Sequence, residues 1–238
     1  MSRSTQNLVL LLVGLASVVM LIKGTYLNYV KPGLLPWLIA AAAVLIALGL
    51  VSIVRDLRSA RADHSDDHDL GHAHQPWLAW MLLIPIAMVA FVVPPPLDAR
   101  GASSAPAVSQ PQRRAFPPLP AGDAPTVSLP EVVMRAAADS TNSLEGRSIT
   151  MTGFTLHYSG GTDLGRVVIV CCAADAQLAR VHLTGPAAAA AAGHPEDTWL
   201  QIRGQIMPGS AHADDGYIPT MTVASVTPID KPANTYAY

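Results

Sequence analysis

The run Asp63-His64-Ser65-Asp66-Asp67-His68-Asp69-Leu70-Gly71-His72-Ala73-His74 places four of the eight histidines and four aspartates within twelve positions. That many ionisable groups cannot be desolvated together, so the segment belongs in water. Imidazoles and carboxylates at this density collect divalent transition metals, and zinc, nickel, copper and cobalt suit them alike. His64, His68, His72 and His74 are the candidate nitrogen ligands, and Asp66, Asp67 and Asp69 the oxygen ligands. On a helix, His64, His68 and His72 would share one face. Gly71 and the aspartates favour a flexible loop instead, which would capture a metal weakly and pass it on. The plainer alternative is a solvated tether.

A second set is Cys171, Cys172 and Asp175. Neighbouring cysteines in a regular strand point to opposite faces, and a disulfide between them is strained. A shared ion therefore requires the strand to stop here, with Ala173-Ala174-Asp175 as the break. Asp175 would then add a carboxylate, and His157 or His182 an imidazole; thiolate and imidazole suit zinc or copper(I). Otherwise both cysteines are small buried apolar residues, the usual fate of free thiols. His194, His212, Asp214 and Asp215 read as surface loop residues. No Ser-His-Asp spacing, glycine-rich phosphate loop or His-Glu-x-x-His occurs, so no enzymatic activity is expected.

These sets sit in unlike surroundings. The chain is 50% hydrophobic, 13% charged and close to neutral, but residues 1–93 carry three apolar runs around the His/Asp loop at 62–75. Leu34–Val54 is free of charge for 21 residues, roughly 31 Å as a helix and enough to cross a bilayer. Leu8–Ile22, continuing past Lys23 to Val30, reads as a membrane pass rather than a signal peptide, because no small-residue cleavage site follows. Trp77–Val93 follows Pro76 and carries Trp77 and Trp80 as interfacial anchors. With three transmembrane helices, Arg3 and the Arg55, Arg58 and Arg61 group fall on one side. The positive-inside rule then puts the His/Asp loop in the cytoplasm and everything after Val93 outside the cell membrane.

Residues 94–125 hold nine prolines among Ala, Ser and Gly and read as an extended spacer. Arg113 and Arg114 there could touch membrane lipid. Residues 126–238 are long enough for one small domain. Ser128 and Glu131 have capping-box spacing, and Leu129, Val132, Val133, Ala136 and Ala137 form a helical apolar stripe. Five strands are expected, at Arg147–Leu156, Arg166–Cys172, Arg180–Leu183, Trp199–Ile206 and Ile218–Val226. In the fourth, Leu200, Ile202 and Ile206 should face the core and Trp199, Gln201, Arg203 and Gln205 the solvent. A glycine-bent first strand and an alanine-rich insertion after the third point to an all-β small barrel of the oligonucleotide/oligosaccharide-binding (OB) type. There is no Lys/Arg cluster and few aromatics to stack bases, so no nucleic-acid partner is expected.

Several blocks carry a resemblance. They are Pro94–Ala99 at the end of the third span, Leu-Glu-Gly-Arg-Ser-Ile-Thr-Met-Thr-Gly-Phe (Leu144–Phe154), Val-Cys-Cys-Ala-Ala-Asp-Ala (Val170–Ala176), Asp197–Gly204 and the tail with Tyr236 and Tyr238. Together they resemble a bacterial family described as the small subunit of a two-component membrane permease complex. The resemblance implies a non-enzymatic accessory subunit with a multi-pass permease as partner, and it attaches no substrate. Zinc or another divalent transition metal is the expected cofactor class. The alternative is a stand-alone membrane-anchored metal-binding or sensing protein without transport.

Overall fold

A computed structural model describes residues 3–62, 96–98 and 111–238. The third apolar run and loop residues 63–75 lie outside the described residues. The chain forms two compact units, divided between Pro95 and Pro96.

The first unit contains α1 (Arg3–Ile22) and α2 (Leu35–Ala62). The first helix does not run on to Val30 as expected. It stops where Gly24 adopts φ 70°, and a 3-10 turn, Thr25–Asn28, follows; the left-handed conformation is open to Gly at no steric cost. The two helices pair antiparallel through small residues. A side chain on Gly14 would meet Ile46 Cγ1 at 2.7 Å, and one on Gly49 would meet Leu11 at 3.3 Å. Among the described residues, Pro32–Arg55 is the one segment long and apolar enough to cross a membrane, and Val9–Ile22 is a shorter apolar helix. Length and composition alone would fit a membrane anchor or a signal sequence.

The second unit holds α3 (Leu129–Ala138), β1 (Ser148–Tyr158), β2 (Gly161–Val168), β3 (Gln177–Thr184), α4 (Ala188–Ala192), β4 (Trp199–Ile206) and β5 (Thr220–Pro228). All five predicted strands are present in one mixed sheet. β1 pairs antiparallel with β2 and β4, β2 with β3, and β4 with β5. The β3–β5 pairing is parallel, and the order β1-β2-β3-β5-β4 returns to β1.

Two apolar clusters hold this sheet. The larger lies on one face, where Ile149, Met151, Leu164, Leu200 and Ile202 meet Val132 of α3. The second lies on the opposite face of one end, with Phe154, Leu156, Val167, Ile169, Trp199 and Tyr236. Trp199, expected to face solvent, is buried there and meets Phe154 edge-on with centroids 5.7 Å apart. The strand alternates as expected, but its outer face is covered at this end. Gly153 lets the strands approach closely: a Cβ there would lie 2.5 Å from the Gly165 carbonyl oxygen and 2.9 Å from Leu164 Cγ. Gly153→Ala is therefore expected to cost about 1–3 kcal/mol by overpacking, seen as a lower denaturation midpoint.

Two local expectations differ. Ser128 is the N-cap of α3 but makes no side-chain cap bond; Pro130 removes one amide donor there, and Glu131 pairs with Arg135 at 2.7 Å instead. The expected spacer also contributes contacts to the domain. Leu97 packs on the second cluster, Leu119 packs on the first, and Phe116 lies under the Arg114 and Arg135 guanidinium groups at 4.7 and 5.1 Å. Arg113 donates to the Asp139 carbonyl at 3.3 Å.

Candidate metal centre

β2 ends at Val168, before the cysteines, although a strand had been expected through Cys172. The reason is a side chain. The Asp175 carboxylate accepts the backbone N–H of Val170 at 2.9 Å, of Cys171 at 2.7 Å and of Cys172 at 3.3 Å, so none of these donors is left for a ladder. The 3-10 turn Ala173–Asp175 follows, with Cys172 as N-cap: the Asp175 N–H donates to the Cys172 carbonyl at 3.0 Å and turns toward its sulfur, while the carboxylate takes the Cys172 N–H. This reciprocal arrangement is a capping box built with a thiol.

The result is a compact donor set. Cys171 and Cys172 Sγ lie 3.6 Å apart with no disulfide between them. Both sulfurs and an Asp175 oxygen fall within 4.8 Å of one another, a group that could hold a metal ion. The site is open to solvent, with Cys171 and the neighbouring Val170 both exposed. A hydrogen bond to Asp175, with help from Cys172, pushes the Cys171 thiol up to about 11. The same bond, reinforced by the three amides, outweighs the opposing effect of desolvation and lowers Asp175 to about 2. The carboxylate therefore stays charged and the Cys171 proton stays on until something displaces it.

Neither imidazole proposed for this set joins it. His157 Nε2 is 2.9 Å from the His194 carbonyl oxygen and its Nδ1 is 3.3 Å from Thr162 Oγ1. His182 lies between two carboxylates, with Nδ1 2.5 Å from Asp163 Oδ1 and Nε2 2.8 Å from Asp215 Oδ2. No motif joins these three residues, because Asp163 and Asp215 come from separate elements. His64, Asp66, Asp67, His68, Asp69, His72 and His74 lie outside the described residues. A cleft of about 380 Å³ opens beside Arg113, Asn142, Glu145 and Met207. Its Arg135 and Asp139 are already committed to other protein groups, so it offers no unused buried charge.

An apolar helical hairpin and a small β domain with an exposed thiol–carboxylate turn define the chain. Residues 5–105 match the DUF1980 N-terminal domain and residues 131–238 the DUF1980 C-terminal domain. The chain belongs to the DUF1980 family. No curated protein and no solved structure matches it.

Proposed function

We propose that this is a multi-pass cell-membrane protein, the accessory subunit of a permease complex, whose exported C-terminal domain handles a divalent transition metal. The domain is read as an OB-type barrel; the returning strand order, the parallel β3–β5 pair and α4 between β3 and β4 support this. The permease partner rests on the family resemblance and the apolar N-terminal unit. The His/Asp loop at 63–74 would serve the same ion class on the other side of the membrane.

The observation that carries the metal reading is the Cys171/Cys172/Asp175 turn. With metal–sulfur bonds of about 2.3 Å, sulfurs 3.6 Å apart subtend about 100° at an ion, close to tetrahedral. A linear two-thiolate ion would need them spread to about twice the bond length, which favours zinc-like ions over linearly coordinated copper(I). Asp175 supplies a third ligand, and solvent exposure leaves a fourth position open for a transferring partner.

Because Cys171 holds its proton to about 11, binding must release it. Zinc affinity should therefore rise by up to roughly tenfold per pH unit for each proton displaced, across the neutral range, as read by competition with a coloured chelator. The full chain, purified in detergent, loaded with zinc and desalted, should retain metal that Cys171→Ser and Cys172→Ser lose. Wild-type retention no greater than that of the double variant would end the metal reading. Absence of a multi-pass protein at stoichiometric yield on co-purification would end the permease reading separately.

A further inference from the structure

His182 sits on β3 in register with Asp163 of β2 and Thr220 of β5. Each of its ring nitrogens faces a carboxylate oxygen, Nδ1 toward Asp163 at 2.5 Å and Nε2 toward Asp215 at 2.8 Å. With both carboxylates ionised, a neutral imidazole, which has one N–H and one lone pair, can satisfy only one of these contacts. Only the imidazolium donates to both. The Asp163 side chain is 0% exposed, so the proton shared with it is the harder one to remove: its loss would strand a buried carboxylate.

The Nε2 partner is different in kind. Asp215 is half exposed and belongs to the 3-10 turn Ala213–Asp215, which ends in Gly216 at φ 60°. Tyr217, the next residue, also has φ 60°, a left-handed conformation that a bulky residue adopts only under constraint. Four backbone bonds close the turn: Asp215 N–H to the His212 carbonyl at 3.2 Å, Gly216 N–H to that of Ala213 at 3.1 Å, Tyr217 N–H to that of His212 at 2.7 Å, and Ile218 N–H to that of Asp215 at 3.2 Å.

We propose that His182 is a proton-operated latch, whose imidazolium clamps the strained 213–217 turn to the sheet through Asp215 and releases it when Nε2 loses its proton. The charged and titratable groups facing the ring are Asp163 from β2, Arg180 from β3 with Nη1 3.7 Å from Asp163 Oδ2, Tyr158 from β1 with ring centroids 5.3 Å apart, and Asp215 from the turn. Two carboxylates against one guanidinium favour the charged ring. Burial alone would lower the His182 pKa, but the bonds and charges of Asp163 and Asp215 outweigh it and hold the pKa above the ordinary 6.5. A raised folded-state value means the clamp is complete below about pH 6.5 and is lost as pH rises through the raised value. In the released state the Nε2 lone pair faces a carboxylate, and the turn has lost its only side-chain tie to β3 among the described residues.

The test is hydrogen exchange by mass spectrometry on the full chain in detergent, with rates corrected for the intrinsic pH dependence. Protection of peptides covering residues 213–219 should fall roughly tenfold or more from pH 6 to pH 9, the scale of one lost charge-assisted bond. Peptides from β1 and β4 should keep theirs. Asp215→Asn changes an exposed side chain and leaves the buried Asp163–His182 pair in place; it should show weak protection of the turn at both pH values, with little pH dependence. Protection that does not change with pH in the wild type, or an equal change in Asp215→Asn, would overturn the latch.

Discussion

Tyr236→Ala is expected to destabilise the C-terminal domain by about 3–5 kcal/mol, the range for removing a buried aromatic side chain. Tyr236 is almost fully buried, although it lies beyond the last strand. It is tied down on three sides. Its ring packs with Phe154, Val167, Ile169 and Trp199. Its hydroxyl accepts the Leu97 N–H at 2.7 Å. The following residue extends the sheet: Ile169 N–H donates to the Ala237 carbonyl at 3.0 Å, and Ala237 N–H to the Val167 carbonyl at 2.9 Å. Arg166 also donates to the Asn234 carbonyl at 3.0 Å. Tyr236→Phe separates packing from hydrogen bonding, because it keeps the ring and removes the acceptor of the Leu97 amide, at about 1–3 kcal/mol. Guanidinium unfolding of the full chain in detergent reads both. A loss below about 1 kcal/mol for Tyr236→Ala would mean that the second cluster is not a core.

That second cluster is also where sequence reading ran out. The five strands, the helix before them and the β4 alternation were legible because period-2 and period-3.6 patterns record which face is buried. They cannot record what covers the other face. Trp199 stands among Gln201, Arg203 and Gln205 in the pattern, and only residues from other strands, Phe154, Leu156, Val167 and Ile169, with Tyr236 and Leu97, make its surroundings apolar. Arg135 shows the same limit on α3. It falls on the buried face beside Leu129 and Val132, which is tolerated because Glu131, the Pro117 carbonyl and Ser143 take up its donors.

The candidate metal turn is more legible, since Ala173-Ala174-Asp175 marks a break in the strand and Asp175 a carboxylate beside the thiols. The mechanism was not visible, because a carboxylate capturing three successive amides depends on backbone geometry rather than on residue type. The His182 latch had no signal at all. Its partners lie 19 and 33 residues away, and an isolated alternating histidine gives no clue to either.

Asp139→Ala is expected to cost about 3 kcal/mol, the scale for breaking a buried hydrogen-bond network, and to remove one component of acid unfolding. Asp139 follows the last turn of α3 and organises the chain that leaves it. Oδ1 accepts Thr141 N–H at 2.8 Å and its hydroxyl at 2.7 Å; Oδ2 accepts Ser143 N–H at 3.0 Å and its hydroxyl at 2.5 Å. Arg135 Nη1 stands 4.0 Å away, so deletion of the carboxylate also removes a counter-charge from a buried guanidinium. Burial by itself would raise this carboxyl, but the four bonds from Ser143 and Thr141 hold it well below the usual carboxylate range. A depressed folded-state value gives stability that is complete above the ordinary value of 3.8 and is lost as pH falls through the depressed one. Wild-type unfolding free energy should therefore decline below about pH 4 with a contribution from this group approaching 1.4 kcal/mol per pH unit. Asp139→Asn keeps the acceptor oxygen but cannot titrate, so it should start less stable and decline less steeply over the same range. Parallel declines for wild type and Asp139→Asn would show that the charge on this carboxylate contributes nothing, and that neutral hydrogen bonds hold the end of α3.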